Sequence, residues 1–305
     1  MSWGPIVVGV DASPAAAGAA ATGQRIARDA SARCQLVHAA RDVWAPLAAV
    51  SSDEQVAEMR RLQLAVERQL VADAIRDAVA PKLLEDMSVR FGPPAAVLQQ
   101  VVAERRPGLL VLGGKHHTTL ERWLGRSTSL HVVRTAEVPV LITAGAPAAI
   151  RRVLVAADLS AAALPTLGLA ERFAKLVGAQ LRVLSVFEPL PILAGIPPVD
   201  PTDYYALSQE LLERDIWPLI QAPGVEKFVR HGSVVDTLLR EAADWSADVV
   251  VVGSHGKGWA QRVLLGSVTE RLLNQLPTSL LVAPVGVAAA ALKQRRVRGS
   301  VAATI

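Results

Sequence analysis

An internal repeat constrains the fold of this chain more than any other feature. The stretch IVVGVDAS at 6–13 recurs as VLVAADLS at 153–160, which places Asp11 opposite Asp158. A second stretch, GGKHHTTLERWLGRS at 113–127, recurs as GSHGKGWAQRVLLGS at 253–267. The matches fall in the same order in both halves. The sequence therefore predicts a tandem duplication, with each copy about 145 residues long.

Each copy alternates strand-like with helix-like segments. The strand-like runs are continuously apolar, which is typical of parallel strands covered on both faces. Ser13 followed by Pro14 predicts a helix start, and Gly178 predicts a helix end. Segments 53–80 and 203–221 are interpreted as further amphipathic helices. This alternation predicts an α/β protein with two doubly wound parallel-sheet domains.

Length and composition fit two folded domains. The chain has 305 residues, of which 51% are hydrophobic and 20% charged, as in globular rather than disordered proteins. Small residues and a proline at 145–150 separate the two copies. We therefore predict one domain at 1–146 and another at 150–287. A basic, flexible tail is expected at 288–305.

Several classes of protein do not fit the sequence. The first residues enter a strand-like run without the features of a signal peptide, and no apolar run approaches the ~20 residues of a membrane span. The single cysteine, Cys34, excludes an intrachain disulfide, which favours a cytoplasmic protein, and its side chain is expected to be buried. The net charge of +4 comes largely from the tail. No basic stripe with interleaved aromatic residues is visible, so no nucleic-acid partner is expected.

Two features of the second copy indicate a ligand site. Asp158 ends the first strand of this copy and Gly253 follows its fourth strand, and ligands of open parallel sheets bind beyond the carboxyl ends of the strands. Glycine lets a backbone approach a ligand closely. Ser267 predicts a helix start whose N–H groups and dipole favour a phosphate. The same residues also fit a plain turn and a helix cap, and that alternative stays open.

The sequence does not match other common motifs for nucleotide binding, metal binding or catalysis. The glycine spacing is neither that of a P-loop nor that of the dinucleotide fingerprint. Lys115, His116 and His117 are three adjacent residues, which cannot all face one ion well, so no metal site is predicted. The sequence has no carboxylate pair, Ser-His-Asp order or nucleophile elbow that would indicate an enzyme mechanism, so no catalytic residue is predicted.

At this point a resemblance to a known family is clear. Gly253, Gly256 and Gly266-Ser267 have the spacing G-2x-G-9x-G-[S/T], which resembles the nucleotide signature of the universal stress protein family. The resemblance extends over residues 3–286 and implies two adenine-nucleotide α-hydrolase-like domains with strand order 3-2-1-4-5. It also implies ATP, ADP or AMP in the second domain, with Mg²⁺ accompanying ATP. The nucleotide contacts that it implies are Asp158, Val186, Val252, Gly253, Gly256, Gly266, Ser267 and Val268.

The first copy departs from that signature. It keeps Asp11 and Gly113, but His116 and Arg126 stand where the second copy has Gly256 and Gly266. A Cβ at position 116 would strain or block the close turn. The Arg126 guanidinium could fill the phosphate site or pair with a bound phosphate. We expect an empty or weakened first site, and hence one nucleotide per chain.

The resemblance implies a nucleotide-sensing stress-response module rather than a committed enzyme, acting on an unidentified protein partner; slow ATP hydrolysis stays open. It also implies that segments 138–143 and 278–283 pair, which would join the halves as a pseudo-dimer within the chain. A homodimer of chains stays open. A nucleotide-free scaffold is an alternative that the altered first signature supports. An enzyme of the related α-hydrolase group is disfavoured, because the Ser-Gly-Gly-rich turn that it needs after the first strand is absent.

Overall fold

The computed structural model describes residues 3–46, 52–114, 128–145, 149–160, 162–189, 200–254, 265–275 and 278–284. The chain divides into two compact units, Met1–Ala148 and Ala149–Ile305.

The first unit alternates parallel strands with helices. Its strands are β1 (Ile6–Gly9), β2 (Cys34–Ala40), β3 (Ser88–Phe91), β4 (Leu109–Gly113) and β5 (Val140–Thr143). Its helices are α1 (Pro14–Asp29), α2 (Asp53–Ile75), α3 (Pro81–Glu85), α4 (Pro94–Arg105) and α5 (Thr128–Thr135). The strands lie in the order β3-β2-β1-β4-β5. Ile6 is in register with Cys34 on one side and with Leu109 on the other.

The second unit repeats this plan. Its strands are β6 (Arg152–Ala156), β7 (Gln180–Phe187), β8 (Glu226–His231), β9 (Val249–Gly253) and β10 (Ser279–Ala283). Its helices are α6 (Ala163–Val177), α7 (Pro201–Leu211), α8 (Val234–Asp244) and α9 (Ser267–Gln275). The parallel strands lie in the order β8-β7-β6-β9-β10. Numbered within each unit, both orders are 3-2-1-4-5, which confirms the predicted fold class.

The continuous apolar runs are strands covered on both faces, as predicted. Successive residues of a strand point to opposite faces of the sheet, and Val7 and Val8 are both 0% exposed. In the second unit, Val153, Leu154 and Val155 are likewise fully buried. The cores of both units therefore lie on the two faces of their sheets, which leaves the strand ends available for other contacts.

The local signals at helix ends have the predicted outcomes. Ser13 occupies the N-cap position of α1 with extended backbone angles, and Pro14 is the first helical residue. Gly178 ends α6 with a φ of +68°, a left-handed conformation that costs glycine little, and its N–H donates to the carbonyl of Ala174. Ser267 is the first residue of α9.

Two predicted helices are shorter than expected. Segment 53–80 forms α2 only as far as Ile75, and a 3-10 turn continues it at Arg76–Ala78. Segment 203–221 begins earlier, as α7 from Pro201, and then changes to a π-helical turn at Leu212–Ile216 and a 3-10 turn at Trp217–Leu219. Pro218 lacks the N–H that a continued α-helix would need, which accounts for the second change.

Cys34 is half-buried rather than fully buried as expected, but its thiol has the expected low reactivity. Burial raises its pKa to about 12, so the side chain stays protonated at physiological pH and is a poor nucleophile. Among the residues that the structure describes, no helix is both long and apolar enough to cross a membrane.

Candidate functional site

A carboxylate is held at the carboxyl edge of the second sheet, the edge formed by the carboxyl ends of its strands. Asp158 follows β6 by two residues, and the N–H of the intervening Ala157 donates to the carbonyl of Leu184 at 2.9 Å. The Oδ1 atom of Asp158 accepts hydrogen bonds from the N–H of Ser160, at 3.0 Å, and from its hydroxyl. In the described part of the chain, Oδ2 receives no hydrogen bond. The turn therefore orients a half-buried carboxylate with one acceptor oxygen to spare.

The start of α9 is fastened to the end of β9. The N–H of Gly266 donates to the carbonyl of Ser254 at 2.8 Å, and the hydroxyl of Thr269 donates to the carbonyl of Gly253 at 2.8 Å. The first bond within the helix runs from the N–H of Glu270 to the carbonyl of Gly266. The helix offers no acceptor to the N–H groups of its first turn, at Ser267 and Val268. Positive potential is therefore fixed beside the end of β9.

The strand order brings these two features close together. β6 pairs with β9 in parallel, with Val155 opposite Val251. The turn that carries Asp158 and the backbone of Gly253 therefore leave neighbouring strands in the same direction. A carboxylate and an electropositive helix start, side by side at the switch point of the strand order, form the candidate site.

The other predicted contact residues have different environments. Val186 lies near the end of β7 and is half-buried, so it can be part of an edge surface. Val252 is 3% exposed and belongs to the core, so only its backbone could reach a ligand. Ser267 is exposed, whereas Gly266 and Val268 are half-buried. Gly256, and with it His116 and Arg126 of the first copy, lie outside the described residues.

Gly113, the first copy's counterpart of Gly253, has a structural role. A Cβ built on Gly113 would lie 2.8 Å from the carbonyl oxygen of Ala15 and 3.0 Å from its Cβ. The first turn of α1 therefore packs directly on the end of β4, and a glycine is required there without any ligand. Asp11 repeats the turn of Asp158, since its Oδ1 accepts from the N–H of Ser13 at 3.0 Å.

Sequence reasoning missed an aromatic cluster at the carboxyl edge of the second sheet. The rings of Phe187 and Tyr204 meet edge to face with centroids 6.3 Å apart, and those of Tyr204 and Tyr205 are 5.4 Å apart. Tyr205 lies over His231 with the ring centroids 3.7 Å apart. The adjacent tyrosines were a visible signal, because the chain contains only two. Their partners are remote in sequence, so the cluster itself was not predictable.

A basic and aromatic ladder was also missed. The Arg182 guanidinium contacts two rings, 4.3 Å from the centroid of Trp245 and 4.6 Å from that of Phe228. The Arg230 guanidinium lies 5.0 Å from the centroid of the same Phe228 ring. Each guanidinium has a carboxylate partner: Arg182 pairs with Glu226 and Arg230 with Glu241. Neutralised in this way, the ladder is a poor electrostatic match for a phosphate backbone.

The described residues provide no preformed metal centre. No group of three His, Cys, Asp or Glu side chains in the described ranges is arranged to hold a metal ion. The adjacent residues Lys115, His116 and His117 lie outside those ranges.

Comparison with known proteins is consistent with the geometry. The model of the universal stress protein family matches residues 2–144 and, a second time, residues 149–284. The "universal stress protein in QAH/OAS sulfhydrylase 3'region" of Thermus aquaticus is 26% identical over 133 residues, which are 43% of this chain and 97% of that protein.

Two solved structures share the fold over nearly the whole length. A universal stress protein from Archaeoglobus fulgidus DSM 4304 has a TM-score of 0.57 at 18% identity, covering 92% of this chain and 96% of that one. A functionally unknown protein from Pseudomonas aeruginosa PAO1 has a TM-score of 0.60 at 17% identity, covering 96% and 97%. Because the family model matches twice and the two matches span most of the sequence, this chain belongs to the universal stress protein family, with two of its domains in tandem.

Proposed function

We propose that the second unit binds one adenine nucleotide and that the chain is a nucleotide-sensing stress-response protein of the cytoplasm. The expected ligand is ATP, with ADP and AMP as alternatives. The observation that carries the proposal is the attachment of α9 to β9 through the bond from Gly266 to Ser254. It holds N–H groups that have no partner within the helix next to the strand that leads to Asp158, and anions bind well at such helix starts.

Each contact residue has a role that its environment allows. The Oδ2 atom of Asp158, which has no hydrogen bond from the described residues, can accept one from a ribose hydroxyl, while Val186 offers an apolar surface to the base. Phosphate oxygens would accept from the N–H groups of Ser267 and Val268. The N–H of Gly266 is already engaged with Ser254, so Gly266 contributes by having no side chain at the phosphate position.

Mg²⁺ would arrive with the triphosphate. This ion keeps several waters and is usually held through substrate phosphates and one or two protein oxygens rather than by a complete protein cage. That behaviour suits a site whose described residues hold no metal cluster. Ser267 is the first residue of α9 and its hydroxyl is exposed, so we assign it the role of a protein ligand to the ion.

The first unit is proposed to bind no nucleotide. Besides the changes at His116 and Arg126, helix α2 covers the carboxyl end of β2 with polar contacts. The Gln63 amide donates to the carbonyl of Arg41 at 2.6 Å, and Arg60 pairs with Asp42 at 2.6 Å. This is the part of the edge that corresponds to Val186 in the second unit. The pairing of segments 138–143 and 278–283 stays a prediction.

The proposal is tested by the nucleotide content of the purified protein, followed by calorimetric titration with ATP and Mg²⁺. The expected stoichiometry is one nucleotide per chain. Two nucleotides per chain would contradict the proposal that the first unit binds none, but would leave the proposed site of the second unit intact. No binding of ATP, ADP or AMP would overturn the proposal and favour the scaffold alternative. Incubation with ATP and assay of released phosphate would measure any slow hydrolysis.

A further inference from the structure

The aromatic cluster of the second unit combines residues from three elements. Phe187 ends β7, His231 ends β8, and Tyr204 and Tyr205 come from α7. The centroid distances of 6.3, 5.4 and 3.7 Å link the four rings in one chain, from Phe187 through both tyrosines to His231. Phe187 is 4% exposed and anchors the cluster in the core. The two tyrosines are half-buried and His231 is exposed, so the far end of the cluster faces outward.

The cluster lies on the same edge as the proposed nucleotide site. Phe187 and His231 are in register at the ends of adjacent parallel strands, so both rings are at the carboxyl edge. Along that edge the order is β8, β7, β6, β9. The aromatic end at β8 and the helix start at β9 are three strand spacings apart, about 14 Å. Between them, Val186 lies in β7 and Asp158 follows the end of β6.

This order matches the order of chemical groups in a nucleotide. The electropositive helix start suits phosphates, and Asp158 suits a ribose hydroxyl. The remaining place lies over the end of β7, with Val186 on one face of the sheet and the aromatic cluster on the other, because Val186 and Phe187 are successive residues of that strand. Aromatic side chains bind nucleobases by stacking, whatever the base, because every base has a π-face.

The first unit differs at the corresponding positions. By the repeat, Ala40 stands where the second unit has Phe187, and Phe91 stands where it has His231. Helix α2 contributes Arg60 and Gln63 to that edge rather than tyrosines. The aromatic wall therefore accompanies the intact glycine signature and not the altered one.

We propose that Tyr205 and His231 form an aromatic wall on the base side of the nucleotide site and make this site select ligands that carry an aromatic base. The inference rests on the proposed function, since it assigns the base end of that same site. Tyr205 supplies a ring already held against His231, so little side-chain freedom is lost when a base stacks on the wall.

The test compares two ligands that differ by the base. Calorimetry with Mg²⁺ measures the affinity for ATP and for inorganic tripolyphosphate in the wild type, Tyr205→Ala, Tyr205→Phe and His231→Ala. We expect Tyr205→Ala and His231→Ala to weaken ATP binding about 5- to 100-fold, the usual range for one lost stacking ring. Binding of tripolyphosphate should be unchanged. Tyr205→Phe should keep the affinity for ATP, because stacking needs the ring and not the hydroxyl.

A matched control is Leu207→Ala, on the same helix and 56% exposed, which should leave both affinities unchanged. If the wild type binds ATP and both alanine variants bind ATP with the wild-type affinity, the proposal of an aromatic wall is wrong, although the proposed function stands. Equal losses for ATP and tripolyphosphate would also overturn it, since they would indicate a disturbed fold rather than a lost base contact. A wild type that binds no ATP overturns the proposed function and the wall together. His231 is exposed at a strand end, so its variant provides a folded test even if Tyr205→Ala is unstable.

Discussion

The two units share the strand order and the turn that follows the first strand, but they differ at the carboxyl edge of the sheet. In the first unit the 23-residue helix α2 begins with a capping box at Ser52 and covers the edge with Arg60 and Gln63. In the second unit the 11-residue α7 brings two tyrosines to the edge. Duplication therefore kept the interior of the domain, while the edge acquired different chemistry in each copy.

The comparison also separates two reasons for a glycine. Gly113 is required by the packing of Ala15 on the end of β4, which is a property of the fold. Gly266 precedes the first helical residue of α9, where a side chain would stand before free N–H groups. One position serves the structure of the domain and the other serves the proposed ligand. Substitutions at the two positions should therefore have different consequences.

The largest effect is expected from Gly266→Arg, which gives the second copy the residue that the first copy has at Arg126. A guanidinium at the start of α9 would occupy the proposed phosphate position, and calorimetry should detect no binding of ATP. The matched variant Arg126→Gly should not reduce the binding by the second unit. Undiminished affinity in Gly266→Arg would show that the phosphates bind elsewhere.

Gly113→Ala should lower the free energy of unfolding by about 1–3 kcal/mol, because the new methyl group would lie 2.8 Å from the carbonyl oxygen of Ala15. Urea denaturation measures the change. The control is Gly168→Ala in α6, where nothing lies within 4 Å of the added Cβ. That variant should be more stable by about 0.5–1 kcal/mol, since alanine favours a helix interior. Equal stability of the two variants would contradict the packing argument.

Asp158→Ala should weaken ATP binding about tenfold, as expected for a lost hydrogen bond to a charged group. The substitution also removes the turn bonds to Ser160. Asp11→Ala is the matched control, because it removes the same turn in the first unit. Its effect on stability should be similar and its effect on affinity absent. A loss of affinity in both variants would assign the effect to the turn rather than to the ligand contact.

The smallest effect is expected for Arg60→Gln. The hydrogen bond from Arg60 holds the pKa of Asp42 below its ordinary value. A carboxyl with a lowered folded-state pKa stabilises the protein above its unfolded-state pKa, and this contribution is lost as the pH falls through the folded-state pKa. The urea midpoint of the wild type should exceed that of the variant at about pH 6, and the difference should be smaller at about pH 3. A difference that is the same at both pH values would exclude the ion pair as its cause.

Much of the fold was predictable because its signals are local. Apolar runs such as that of β9 predict covered strands, and Ser13, Pro14 and Gly178 specify helix ends by their own backbone preferences. The order 3-2-1-4-5 followed from the resemblance rather than from the residues. Of the candidate site, Asp158, Gly253 and Ser267 were visible because each adjoins a strand or helix end.

The features that were not predictable from the sequence depend on contacts between remote segments. The aromatic cluster needs the end of β7, the end of β8 and a helix between them, and periodicity in one segment cannot indicate such a meeting. The role of Gly113 depends on the place where α1 returns to the sheet. The change to a π-helical turn at Leu212–Ile216 has no sequence signal that we recognise.

The contact of Arg182 with both Trp245 and Phe228 has a consequence for how this sequence can vary. A lysine at position 182 would keep the charge that faces Glu226, but it would lose the flat surface that packs on the two rings. Arginine and both aromatic residues are therefore expected to be exchanged as a group. Among homologous second domains, positions 182, 228 and 245 should covary, and sequences with an aliphatic residue at one of them should have relaxed the other two.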